Sequence, residues 1–215
     1  MRRFLRENDL TLVMLGLFIA SLVGQGVAGF RVYNQEQVTQ AQSTVGPGAY
    51  LLTGHFIEAV FENWESEFLQ MGMLVLLTVF LFQKGSAVAK GPDDPDEVDA
   101  GSQGHDDVPW PVQRGGLALR FYENSLTLAL FGLFLLSFVL HAVGGARDVS
   151  AERALRGEGT VSPLTYLGTA RFWFESLQNW QSEFLSVAVL VMLSIVLRQR
   201  GSPESKPIDP PHQEH

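Results

Sequence analysis

N-W-E-S-E-F-L, residues 63–69, returns as N-W-Q-S-E-F-L, residues 179–185. Each copy leads into an apolar run, 68–82 in the first case and 184–197 in the second. Working outward, E-N-x-L-T-L at 7–12 and again at 123–128 opens an earlier pair of apolar runs, 10–30 and 126–145. Residues 7–86 align with 123–202 at a constant offset of 116, without a gap. The expected architecture is therefore a tandem repeat in which each unit contributes two apolar helices.

The first run of each unit carries no Asp, Glu, Lys or Arg. About 20 residues make a helix of about 30 Å, the thickness of a bilayer's hydrocarbon. The second runs are shorter, and 15 residues reach only about 22 Å. Those helices must borrow length from the polar segment before them. Helices are predicted over roughly 50–83 and 166–199, with Pro47 and Pro163 just upstream, where proline suits a helix start. The predicted fold class is all-α: a four-transmembrane-helix bundle made of two tandem parallel helical-hairpin repeats. Arg2, Arg3 and Arg6 before an apolar run resemble a signal peptide. The same run recurs inside the chain at Leu126, which favours a retained helix.

The expected domains are a first membrane hairpin (1–86), an acidic cytoplasmic linker (87–116), a second hairpin (117–202) and a disordered cytoplasmic tail (203–215). The linker holds D-D-P-D-E at 93–97 and little apolar material, a composition that solvates rather than packs. With four spans, one membrane face carries ten arginines and lysines and the other five. The excess marks the cytoplasmic face, so both termini are expected there, in a bacterial cytoplasmic (inner) membrane. Two spans per repeat give both copies the same orientation, with a pseudo-two-fold axis along the membrane normal.

A net charge of −8 is no nucleic-acid signature, and the absence of cysteine excludes disulfides and thiolate metal sites. The mean hydropathy of +0.11 averages apolar blocks with polar connections. The expected partner is the lipid bilayer, with a homo-oligomer or a membrane-protein partner beside it and no nucleic acid. No cofactor and no metal site are expected. His55 lies near Glu58 and Glu62, but one histidine with carboxylates specifies no metal.

The candidate polar site is the repeated Asn63/Glu67 and Asn179/Glu183 pair, each four apart and so on one helical face. A carboxylate inside hydrocarbon costs about 2.5–3.5 kcal/mol and calls for a partner. Arg31 and Arg147 align at the external ends of their helices and are the expected partners of Glu67 and Glu183. Glu58, Glu62 and Glu65 occur in the first copy alone; their counterparts are Phe174, Gln178 and Gln181. Trp64 and Trp180 are expected as interfacial anchors. Asn8 or Asp9, and Asn124 or Ser125, are expected as helix caps.

The paired E-N-x-L-T-L and N-W-x-S-E-F motifs resemble those of an uncharacterised bacterial multi-pass membrane-protein family, a domain of unknown function. The likeness covers nearly the whole chain apart from linker and tail. It implies a small multi-pass protein and supplies no substrate or active residue. No nucleophile–base constellation or phosphate-binding loop points to an enzyme. The expected role is structural or accessory. The alternative is a small transporter or channel with a polar site near the external interface, against which 71–82 and 187–197 stand as almost wholly apolar.

Overall fold

The computed structural model describes residues 2–81, 83 and 109–205. Most of the acidic linker, 87–108, and the tail from 206 lie outside the described residues. Among the described residues the fold is all-α, with nine helices. They are α1 (Arg2–Glu7), α2 (Asp9–Thr39), α3 (Pro47–Tyr50), α4 (Gly54–Phe80), α5 (Trp110–Arg114), α6 (Gly116–Glu123), α7 (Ser125–Leu155), α8 (Pro163–Leu167) and α9 (Ala170–Val196).

Three of these, α2, α7 and α9, are long and apolar enough to cross a membrane. At 31 residues, α2 and α7 outrun the apolar runs that seed them. α2 has no buried residue at all. Leu10, Leu17, Val23 and many neighbours are bare, a far larger apolar surface than a protein in water sustains.

Pro47 and Pro163 each open a helix, but a short one that stops before the long helix begins. The continuous helices expected from 50 and 166 are thus broken, at 51–53 and at 168–169. The cause is a threonine. Thr53 Oγ1 accepts from Phe56 N at 3.3 Å and donates to Tyr50 O at 2.7 Å. Thr169 Oγ1 does the same with Phe172 N (3.3 Å) and Tyr166 O (2.7 Å). Each hydroxyl satisfies an orphan amide of the coming helix while tying off the previous turn.

The capping expected at the starts of α2 and α7 takes another form. Asn8 holds the N-cap position of α2, yet its amide donates back to Phe4 O at 2.9 Å. Asn124 likewise donates to Arg120 O at 2.8 Å. Their backbone carbonyls, not their side chains, open the helices by accepting from Leu12 N and Leu128 N. A preceding helical turn, α1 or α6, offers the carbonyl that draws each side chain away. Asp9 Oδ1 takes the neighbouring Leu10 N, and Ser125 is the first residue of α7.

The chain divides into two compact units, one of 1–61 with 140–172 and the other of 62–139 with 173–215. The core of the first is aromatic. Tyr50 is buried among Phe30, Tyr33 and Phe56, with ring centroids 5.4–6.0 Å away. Tyr166 is wholly buried against Phe172. Both tyrosines reach helices that lack a side chain at the contact. A Cβ on Gly29 would stand 2.2 Å from the Tyr50 hydroxyl oxygen, and one on Gly145 would stand 2.2 Å from Tyr166 Cε1. α4 and α7 cross still more closely, backbone to backbone. A Cβ on Gly54 would lie 2.4 Å from Asp148 N, and one on Gly144 2.4 Å from Glu58 N.

In the second unit, Trp180 packs edge-on to Phe134 at 6.2 Å and to Trp173 at 6.4 Å. Gly72 lets α4 settle on Leu130 and Phe131 of α7. Arg114 lies 5.0 Å over the Trp110 ring within α5, inside the stretch expected as linker.

Candidate functional site

The first unit holds its charge at the ends of α2 and α7 and the starts of α4 and α9. Polar brackets fix the connecting loops. The Asn34 side chain accepts from Val45 N at 2.7 Å and donates to Val45 O at 3.1 Å. Ser150 Oγ accepts from Val161 N at 2.9 Å and donates to Ala146 O at 2.6 Å. With the loops held, the tyrosines and the first turns of α4 and α9 have fixed positions.

Arg171, on the first turn of α9, is the cationic centre. Its guanidinium reaches Glu152 at 3.2 Å, Asp148 at 3.3 Å and Glu58 at 3.7 Å. The guanidinium fork can donate in several directions at once, which suits one cation to three carboxylates. Glu58 is buried, and it also accepts from the Tyr166 hydroxyl at 2.8 Å. His141, fully buried, brings its imidazole within 4.8 Å of the Glu58 carboxylate and stacks on Phe172 with centroids 4.6 Å apart. On the other side, Tyr50 Oη and His55 Nδ1 are 3.2 Å apart. Burial first, then the charges of Asp148 and Glu36, hold the Tyr50 hydroxyl above its ordinary range. It therefore stays a protonated hydroxyl beside the imidazole.

These groups border an open cavity of about 340 Å³, lined by Tyr33, Glu36, His55, Asp148, Glu152 and Arg171 among others. Three carboxylates against one arginine leave the cavity negative. What it can do chemically is bind: it suits a small cationic or amine-bearing group, with Tyr33 and glutamines as further hydrogen-bonding partners. Among the described residues that line it there is no serine, threonine or cysteine.

Of the residues singled out by sequence, Arg31 and Arg147 belong to this unit. Both are exposed, and among the described residues neither side chain has an ion-pair or hydrogen-bond partner. The arginine that gathers carboxylates is Arg171.

The second unit contains the repeated N-W-x-S-E-F segments. Asn179 donates to Glu62 in a short hydrogen bond. Trp180 Nε1 donates to Glu65 Oε1 at 3.0 Å, and Glu65 is fully buried. Trp180 is thus a hydrogen-bond donor inside the protein as well as a large aromatic, while Trp64 is half-buried. Asn63 and Glu67 are exposed, and Glu183 is half-buried, near enough to Glu67 for their charges to repel. On α4 the carboxylates that find partners are the unrepeated ones, Glu58, Glu62 and Glu65. Sequence reasoning passed over Tyr50, Tyr166, Thr53, Thr169 and Asp148, and assigned no role to His141 and no partner to Glu65. The signal for the tyrosines and threonines was present, since both pairs are identical across the aligned copies.

The chain belongs to the family described as Domain of unknown function (DUF6766), whose model matches residues 1–215. No curated protein and no solved structure matches it.

Proposed function

Starting from that membership, we propose that the protein is a structural or accessory component of a bacterial inner membrane. It is built from a duplicated helical hairpin, with four spans and both termini in the cytoplasm. α4 is the fourth span: its last turns, ending at Val79 and Phe80, are apolar and bare, and its charged residues lie towards the other end. The repeat alignment and the matching turns around Thr53 and Thr169 support the duplication. The bilayer is the first partner, and a second copy or another membrane protein is the next.

One observation carries the accessory reading. Three of the four acids on α4 are taken up by neighbours of the same chain, the exposed Glu67 being the exception: Glu58 by Tyr166 and Arg171, Glu62 by Asn179, Glu65 by Trp180. Buried charge that is paired and hydrogen-bonded serves to fix one arrangement of helices. A conducting path instead needs polar groups kept available to water or cargo.

The chain has no cysteine, which makes the test direct. Single cysteines at Ser43, Gln83 and Gln199 are exposed to a membrane-impermeant maleimide in intact cells. Labelling of Ser43→Cys alone, with the other two reacting only after permeabilisation, is the expected pattern. Labelling of Gln83→Cys from outside would defeat the four-span reading. The cavity of about 340 Å³ favours the second reading, a small transporter or channel taking a cation at the external face. Cation flux through vesicles reconstituted with the wild-type chain, abolished by Glu36→Gln in a protein that still accumulates, would replace the accessory role with that one.

A further inference from the structure

A second cavity in the first unit is of opposite character. It opens along α2 and is walled by Leu22, Val23 and Phe30 of that helix, with Leu51 and Phe56 facing them. Its volume is about 650 Å³, within the usual range of about 300–1,000 Å³ for small-molecule pockets. Its lining is apolar except at one point, Arg31. Nine residues separate Leu22 from Arg31, so the trough runs about 13 Å along the helix and ends at a guanidinium. Gln25 donates to Ala59 O at 3.4 Å and holds α2 against α4, which gives the groove a fixed wall. Two glycines keep it open. Gly48 has nothing within 4 Å of where its Cβ would be, and a Cβ on Gly26 would just touch Leu51 and Phe56.

We propose that this groove binds one anionic phospholipid, with an acyl chain in the trough and its phosphate on Arg31. The inference rests on the membrane reading above, in which this part of α2 lies in the outer leaflet. Charge decides the occupant. Arg31 has no partner among the described residues, although the arginine of the neighbouring turn, Arg171, has three carboxylates. A cation left single at the membrane–water boundary, directly above an apolar trough, matches the two ends of a phospholipid: a phosphate accepts from guanidinium in a bidentate fork, and the tail displaces no well-bonded water. A wholly apolar helix from another protein would fill the trough but leave Arg31 unanswered.

The test uses the full-length chain, delipidated in detergent and titrated with phosphatidylglycerol or phosphatidylcholine, with bound lipid counted by native mass spectrometry. The wild type should retain one phosphatidylglycerol at least tenfold better than phosphatidylcholine. Arg31→Gln should erase the headgroup preference while some lipid is still held. Gly26→Leu, which fills the trough, should lose the retained lipid altogether, and Gly16→Leu, outside the groove on the same helix, should keep it. Equal retention of the two lipids by the wild type, or unchanged retention in both Arg31→Gln and Gly26→Leu, overturns the proposal. So does a dimer cross-linked through Leu51→Cys that excludes lipid, which would put a second copy in the groove. If the cysteine labelling gives four spans and the lipid preference is absent, the groove assignment fails and the membrane reading stands. If the labelling fails, the membrane reading falls on its own evidence.

Discussion

Two turns of the first unit, 29–56 and 145–172, close in the same way and carry different chemistry. Each begins with a glycine that admits a tyrosine, Gly29 for Tyr50 and Gly145 for Tyr166. Each uses a side chain to bracket a valine backbone, and each ends on a threonine that caps the next helix. Two residues beyond the threonine they part. The first turn has His55, beside Tyr50; the second has Arg171, binding Asp148, Glu152 and Glu58. Backbone geometry here depends on a few small or hydrogen-bonding residues. The charge of the site depends on positions that differ between the copies, Arg171 against His55, Asp148 against Val32 and Glu58 against Phe174, so the two can change independently.

The comparison can be broken most severely at the glycine crossing, which occurs once. Gly54 and Gly144 meet backbone to backbone, while the aligned positions are Ala170 and Ala28. Gly144→Ala should destabilise the protein by about 3 kcal/mol or more, since neither backbone can move aside cheaply. Ala28→Gly should cost only about 1 kcal/mol, the helix-propensity loss. Thermal unfolding in detergent measures both, and equal shifts would mean that the crossing is not special.

The next effect separates Arg171 from His55. Arg171→Gln takes the guanidinium away from the buried Glu58 carboxylate. The arginine is 40% exposed, so solvent screens part of the loss, and about 2–3 kcal/mol is expected. His55→Gln removes a single hydrogen bond to Tyr50 and should cost about 1 kcal/mol. A larger loss for His55 than for Arg171 would reverse the assignment of the cationic centre.

The smallest effect tests the likeness itself. Thr53→Ala and Thr169→Ala should each cost about 1 kcal/mol, and by the same amount within error, because the two caps have the same distances. Replacement by serine should restore most of either loss. Unequal costs would show that the two turns only look alike.

Much of the helix content was legible because apolar runs uninterrupted by charge have one solution in lipid. The proline positions were legible as helix starts, since Pro47 and Pro163 both occupy the first turn of a helix. The breaks that follow were hidden by periodicity, which continues through 51–53 while a threonine hydroxyl interrupts the backbone ladder. The site was less legible, and for a different reason. Arg31 and Arg147 attracted attention because they repeat, whereas Arg171 aligns with a histidine and looked incidental. What makes Arg171 central is the approach of Asp148 and Glu152 from α7 and of Glu58 from α4, a tertiary fact. Glu65 is similar: the repeat pairs it with Gln181, and only packing brings Trp180 to its carboxylate.

A helix such as α2, on which the chain fully buries no side chain, meets the rest of the first unit mainly along its second half, through Gln25, Phe30, Tyr33 and Asn34. On the membrane placement proposed above, lipid rather than protein covers most of its sides.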